Sequence, residues 1–317
     1  MTEVLARRLA TSGLVLLATT LVVFIVLEVL PGDPAMVMLG TSASEETLSA
    51  LRLQMGLDRS AVERYLDWLV NLVRGDLGES YFFGVPVADL VSQRLSVTLP
   101  LAVFAILIAT ALALPLGILA ASRHRGPTDL GVSALSQVGM SLPSFWLGIL
   151  MIQLFAVKLG WLPAGRFPGW DTGLVNALRS LLLPATALAL PQAAILTRVV
   201  RSSVLEVLRQ DYIRAARARG LSPRAALWRH GVRNALIPVI TILGLQFSFL
   251  VSGTIIIENV FSLPGLGRLI KQAIDQRDLL VVKNVVVVLT AMVVFVNFIV
   301  DVSYRWIDPR LRGGRRV

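Results

Sequence analysis

Val97–Ala121 reads VTLPLAVFAILIATALALPLGILAA, 25 residues without a charged side chain. At about 1.5 Å of rise per residue, such a run coiled as a helix is long enough to cross roughly 30 Å of hydrocarbon. Five further apolar stretches occur at about Leu9–Leu30, Val132–Val157, Leu181–Val200, Ala235–Ile257 and Val281–Trp306. The pattern predicts an all-α integral membrane protein with six transmembrane helices. Pro115, Pro143, Pro184 and Pro191 fall inside these runs. Each costs a backbone hydrogen bond, which a bundle tolerates when neighbouring helices satisfy the freed groups. Composition agrees: of 317 residues 55% are hydrophobic and 16% charged, with a mean hydropathy of +0.73. A soluble domain of this length cannot hide that much apolar surface, which excludes an ordinary soluble enzyme. The apolar content equally excludes a disordered chain. Cysteine is absent, so disulfide, zinc–thiolate and iron–sulfur chemistry are excluded too.

The net charge of +10 is unevenly placed. Arg198–Arg233 holds nine arginines against Glu206 and Asp211, and Arg7, Arg8, Arg123 and Arg125 lie in the other loops of the same side. Arg310, Arg312, Arg315 and Arg316 add to them in the tail. Loops of the other side are balanced or acidic. Enrichment in Lys and Arg marks the cytoplasmic face, which predicts both termini inside and makes a nucleic-acid partner unnecessary. Arg7 and Arg8 before an apolar run also suit a signal peptide. The run is too long for one, however, and no small-residue cleavage pattern follows, so it reads as a retained helix. The expected organisation is a first transmembrane helix at 1–30, an external helical insert at 31–96, a membrane core at 97–306 containing a cytoplasmic loop at 201–234, and a tail at 307–317.

Local signals shape the loops. Ser42 with Glu45, and Ser60 with Glu63, have capping-box spacing. Val62, Tyr65, Leu66, Leu69 and Val73 recur at helical spacing, and Gly75 suits a C-cap. In the arginine-rich loop, Asp211 suits an N-cap and Gly220 a C-cap, bracketing a helix of about two turns. Ser222–Pro223 restarts a helix that runs towards Asn234, with Pro238 opening the next transmembrane run. Ala215, Ala216 and Ala218 keep the short helix slim enough to enter a groove, while Arg214, Arg217 and Arg219 suit anionic lipid or an acidic partner.

That segment, DYIRAARARG at Asp211–Gly220 with RNALIP at Arg233–Pro238, resembles the signature cytoplasmic loop of ABC-importer permeases. Ala215 and Ala216, with Gly220 after three intervening residues, occupy the matching positions. Arg214 stands where the general pattern has glutamate, as in the peptide branch. PGDP at Pro31–Pro34, MGLD at Met55–Asp58, RYLDWL at Arg64–Leu69 and GDLGES at Gly75–Ser80 extend the likeness. So do SLPSFWLG at Ser141–Gly148, ENVFSLPGLGRL at Glu258–Leu269 and IDPRLR at Ile307–Arg312. Together they resemble the B-type permease of dipeptide and oligopeptide importers in bacterial inner membranes. The resemblance implies the type I importer permease fold, with Asp211, Tyr212, Ile213, Arg214, Ala215, Ala216, Arg217, Ala218, Arg219 and Gly220 as a coupling helix. It also implies a second homologous permease, two ATP-binding subunits holding ATP and magnesium, and an external binding protein that delivers the peptide.

This chain carries no G-x-x-x-x-G-K-[ST] loop of its own, and Gly265 and Gly267 read as turn glycines. His124 and His230 are far apart in sequence and have no second ligand at metal-site spacing. No catalytic constellation stands out inside the runs, which weighs against a membrane enzyme. Glu28, Lys158, Lys283 and Asp301 fall near the ends of the runs, where side chains reach interfacial water. The absence of mid-membrane charge weighs against a free-standing secondary transporter, the rival from another class. Within the importer reading, nickel, glutathione or another small solute is the alternative cargo. Gln137, Gln192, Gln246 and Asn297 are candidate pathway-lining groups, set against ordinary interhelical hydrogen bonding. Glu258 and Asn259 are candidates for an external gate.

Overall fold

A computed structural model describes residues 2–29, 35–36, 44–54 and 56–307. Outside the described residues lie Pro31–Pro34, Ser42, Met55 and the tail beyond Ile307. The helices are α1 (Thr2–Val29), α2 (Glu45–Gln54), α3 (Ala61–Arg74), α4 (Val87–Ser122), α5 (Pro127–Ser141) and α6 (Ser144–Met151), followed by α7 (Leu174–Leu208), α8 (Asp211–Ala218), α9 (Pro223–Ala226), α10 (Val232–Val260), α11 (Leu266–Asp275) and α12 (Leu279–Ile307). π-Helical turns at Ile152–Lys158 and Leu227–Gly231 extend α6 and join α9 to α10. Among the described residues the β-structure amounts to one isolated bridge, Glu79 with Pro86.

Among the described residues five helices, α1, α4, α7, α10 and α12, are long and apolar enough to cross a membrane. The expected third transmembrane helix, Val132–Val157, is not one helix. It breaks between Ser141 and Ser144, and the two pieces are bent by 98°, so six crossings are reached only if the bent pair counts as one. Leu142 sits at the break in an extended conformation (φ −91°, ψ 127°). Steric conflict with the Pro143 ring keeps the preceding residue out of the helical region, and the ring has no N–H to continue the ladder. Pro238 opens the apolar segment Pro238–Val260 that is long enough to cross, as expected, but no new helix starts there: it lies inside α10, and the chain is helical without interruption from Pro223 to Val260.

The contacts divide the chain into two compact units. In the first, Met1–Val97 with Pro264–Val294, the core joins Val87, Leu90 and Val91 to Leu266, Leu269 and Ala273 of α11 and to Val281 and Val285 of α12. Buried polar groups tie the loops to it. Trp68 donates its indole N–H to Asn284 Oδ1 at 3.0 Å, and Asn284 donates to the Leu77 carbonyl at 2.7 Å. The Asp278 carboxylate accepts from the Ser80 hydroxyl (2.5 Å) and from the backbone N–H of Phe82 and of Val281 (both 3.2 Å). Burial first, and the Asp278 carboxylate second, push the Tyr81 phenol above its usual range. Helix α3 carries the expected capping box between Ser60 and Glu63, and Gly75 ends it in the left-handed region at φ 82°. Helix α2 starts later than the Ser42–Glu45 spacing suggested. Ser44 precedes it, and its hydroxyl accepts the Thr47 N–H at 3.2 Å.

The second unit, Thr98–Leu263 with Phe295–Val317, is built on α4, α7 and α10. Ala113 and Ala121 of α4, Leu196, Val200 and Val204 of α7, and Ala235 and Val239 of α10 form one buried cluster with Leu227. In hydrocarbon no hydrophobic force separates helix from lipid, so close packing of small residues must hold such a bundle. Gly117 makes this concrete: a Cβ there would lie 2.7 Å from Val200 and 2.8 Å from the Thr197 carbonyl.

Candidate functional site

Helix α8 begins at Asp211, which is therefore its first residue rather than its cap. Gln210 takes the capping position, in extended conformation and without a side-chain bond. The Asp211 carboxylate instead meets the Arg214 guanidinium at 3.0 Å, in the first turn where negative charge suits the helix dipole. Both side chains are exposed, so the pair adds little stability. At the far end Gly220 is left-handed (φ 98°); its N–H reaches the Arg217 carbonyl at 3.0 Å and that of Leu221 reaches Ala216 at 3.3 Å. Ser222 then caps α9 by accepting the Ala225 N–H at 3.2 Å, with Pro223 in the first turn, as its spacing predicted.

Burial splits the alanines. Ile213 and Ala216 turn inward, 1% and 4% exposed, whereas Tyr212, Arg214, Ala215, Arg217, Ala218 and Arg219 are exposed. The three-alanine slim face is thus two-sided: Ala216 seats the helix on its own chain, and Ala215 and Ala218 lie outside beside Asp211 and Arg214. The Tyr212 hydroxyl accepts from Asn234 Nδ2 at 3.0 Å, joining α8 to the first turn of α10.

A second charged group stands on α5 and α7. Asp129 is buried; it accepts from Arg201 through Nε (2.5 Å) and a terminal nitrogen (2.8 Å), and from the Arg125 N–H (2.9 Å). The His124 ring nitrogen Nδ1 lies 3.2 Å away. Arg125 adopts φ 63°, a left-handed conformation costing about 1 kcal/mol or more for a non-glycine residue, and the N–H it delivers to the carboxylate offsets that cost. Sequence reasoning missed this cluster. His124, Arg125 and Asp129 are close in sequence, but nothing in their spacing points to Arg201.

The four candidate pathway residues do not converge. Gln246, 3% exposed on α10, donates from Nε2 to the Gln192 carbonyl of α7 at 3.1 Å, and the Oε1 atoms of Gln192 and Gln246 are both buried with no partner. Asn297 on α12 points instead to Ser248, at 3.4 Å. Gln137 is exposed on α5 beside a hollow of about 110 Å³ reached by Thr197, Arg198 and Arg201. Glu258 is fully buried and accepts the Thr98 hydroxyl at 2.6 Å, and Asn259 donates to the Ile255 carbonyl at 2.6 Å. Both side chains are thus held within the packing of the second unit. Gly265 lies in the bend before α11, as its extended N-cap, whereas Gly267 is not a turn glycine but part of the first turn of α11, a helix whose signal, Leu266, Leu269, Ile270 and Ala273 at helical spacing, went unread.

Comparison with known proteins bears on what such a bundle does. Residues 113–313 match the family described as the inner membrane component of binding-protein-dependent transport systems, and residues 1–102 match the N-terminal region of the corresponding membrane components. The chain is 44% identical over 313 residues to a Brucella abortus (strain 2308) protein named for a peptide transport system permease, covering 98% of this chain and 99% of that one. It is 38% identical over 336 residues to the di/tripeptide transport system permease protein DppB of Pseudomonas aeruginosa (strain UCBPP-PA14), covering 99% and 100%. Among solved structures, a chain of the inward-facing MetNI methionine ABC transporter superposes with a TM-score of 0.58 at 22% identity. That match spans 69% of this chain and 96% of the other, and speaks to the fold alone.

Proposed function

The chain belongs to the inner-membrane components of binding-protein-dependent transport systems, and from that premise we propose that it is one of two paired permeases in an ATP-driven importer of dipeptides or oligopeptides. Relatives named for peptide and di/tripeptide transport support the substrate class. The partners in this reading are a homologous permease, two ATP-binding subunits that hold ATP and magnesium, and an external binding protein that hands over the peptide. Both termini and the arginine-rich loop face the cytoplasm in this arrangement.

The observation that carries the coupling role is the build of α8. Eight residues are closed between an extended Gln210 and a left-handed Gly220, seated by Ile213 and Ala216, with an exposed strip of Asp211, Arg214, Ala215 and Ala218. A helix held at both ends moves as a body, whereas a loop absorbs displacement. When the ATPases close, the push reaches α10 through Tyr212–Asn234 and through the unbroken helix from Pro223 to Val260. Gln246 rides on α10, and its contact with Gln192 is where a shift of α10 against α7 exposes two unfilled acceptors to the N–H groups of a peptide. The chain itself makes and breaks no covalent bond in this scheme.

The test replaces exposed alanines by a bulky residue. Ala215→Trp and Ala218→Trp leave the seating face intact, so the permease is expected in the membrane at its normal level with its homologous partner. Uptake of a labelled dipeptide is expected to fall to background, and the ATPase subunits are expected to be lost on purification. Unchanged uptake by both variants overturns the coupling role. A parent complex that takes up nickel ions or glutathione but no labelled dipeptide or oligopeptide overturns the substrate assignment and leaves the coupling role standing.

A further inference from the structure

Helix α3, AVERYLDWLVNLVR, has an apolar surface in two parts, joined through Leu69. Tyr65, Trp68 and Leu72 form the first and turn towards the protein. Val62, Leu66, Val70 and Val73 form the second and are bare, from 46% exposed at Val70 to 82% at Val73. Glu63, Asp67, Asn71 and Arg74 occupy the remaining arc. A helix standing in water does not line up four large aliphatic side chains without a partner.

Its depth follows from its contacts with α1. The Tyr65 hydroxyl lies 3.1 Å from the Thr20 hydroxyl, and the Phe24 ring centroid is 5.3 Å from that of Tyr65 and 6.3 Å from that of Trp68. Thr20 and Phe24 belong to the apolar stretch Ala6–Leu27 that crosses the membrane, seven and three residues short of its end. At 1.5 Å per residue these anchors sit about 10 Å and 5 Å below the level at which α1 leaves hydrocarbon. Amphipathic helices that lie in an interface bed their apolar face about 5–10 Å deep. Only 6% of the α1 stretch is buried within the chain, and α3 packs on it beside this exposed apolar surface.

Charge points the same way. Beside α3 is a cavity of about 310 Å³ whose apolar wall includes Phe24, Leu27 and Leu280. Arg64, Arg277 and Lys283 reach into it, and the Lys283 ammonium lies 4.7 Å over the Trp68 ring. A tryptophan with a lysine at the end of a membrane helix marks the interface. Asp76 also borders the cavity, as does Asp67, which Arg59 holds at 2.8 Å.

We propose that α3 lies in the plane of the membrane, in the leaflet at the carboxyl end of α1, with Val62, Leu66, Val70 and Val73 in the acyl chains. The arrangement holds whichever way the termini face, and it does not rest on the peptide substrate.

The cysteine-free chain permits a direct test in the assembled complex, reconstituted in phospholipid vesicles. Single variants Val62→Cys, Leu66→Cys and Val73→Cys, with Asn71→Cys and Arg74→Cys for comparison, are labelled with a thiol-reactive fluorophore. The first three are expected to be quenched by lipid carrying a nitroxide near the headgroup end of its acyl chain, and protected from aqueous iodide. The other two are expected to reverse that order. Iodide reaching all five alike makes α3 a water-exposed lid and overturns the proposal; so does a stripe that neither quencher reaches, which means a protein partner covers it.

Discussion

Gly117 and Gly131 place the same residue in two helices with opposite consequences. A methyl group at 117 meets Val200 and the Thr197 carbonyl, whereas nothing lies within 4 Å of one at 131. Alanine is favoured over glycine in a helix by about 1 kcal/mol. Gly131→Ala is therefore expected to leave Tm of the purified protein unchanged or raised. Gly117→Ala is expected to lower it, because α4 and α7 must part to admit the methyl. A Tm that rises in both would mean that the two helices are not in close contact at Gly117. Asp129 gives a second residue-level expectation. Removing one partner of a charged hydrogen bond costs about 1.5–3 kcal/mol, less any share that water restores to the partly exposed Arg201. Asp129→Ala should lower Tm more than Asp129→Asn, which keeps the shape and one acceptor. Neither residue was legible as part of a cluster. Sequence periodicity reports on one element at a time, and Arg201 comes 72 residues after Asp129. Gln192 and Gln246 were legible only as polar residues in apolar runs, and which carbonyl each meets is decided by packing.

At the level of elements, the ends of helices were the most readable features because capping is local. Ser60 with Glu63, Gly75 and Ser222 act where their spacing placed them, and the left-handed Gly220 closes α8 one residue beyond its Arg219 cap. The start of α8 was misplaced by one residue, since an aspartate serves as well in a first turn as at a cap. The break between α5 and α6 was not readable: prolines at 100, 115, 184, 191 and 238 stay inside helices, so a proline alone does not mark a bend. Which face of α8 turns inward was also hidden, because two alanines in a row offer the same side chain to both sides. That face has a measurable consequence. A helix of eight residues is unstable alone and depends on its seat. Ile213→Ala removes the larger of its two anchors, a loss of roughly 2–5 kcal/mol at a well-packed site. Trypsin is then expected to cut the detergent-solubilised complex faster at Arg217 and Arg219, while Ala218→Ser leaves the rate as in the parent. Equal rates in both variants would show that Ile213 does not hold α8 in place.

For the whole molecule, the bend between α5 and α6 and the distribution of arginine constrain each other. By length and composition the described residues hold five crossings, or six if the bent pair passes through as one. With six, Arg7 and Arg8, Arg123 and Arg125, and the nine arginines of Arg198–Arg233 fall on one side, opposite the acidic stretch between α1 and α4. With five, the pair returns to the side it left, and the nine arginines move across to join that acidic stretch. Lys and Arg accumulate on the cytoplasmic side of membrane proteins, and only the six-crossing arrangement gathers these residues there. The bent pair is therefore expected to cross, broken but complete, with its 98° kink inside protein or facing a water-filled cavity, the two settings in which interrupted backbone survives at membrane depth. Single variants Arg74→Cys, Thr172→Cys and Arg219→Cys in intact cells separate the two arrangements. A membrane-impermeant maleimide is expected to label positions 74 and 172 from outside, and 219 only after permeabilisation. Labelling of 74 and 219 from outside with 172 protected would make the α5–α6 pair a re-entrant hairpin. It would also place α8 beyond reach of a cytoplasmic ATPase, so this one measurement tests the crossing number, the orientation and the premise of coupling together.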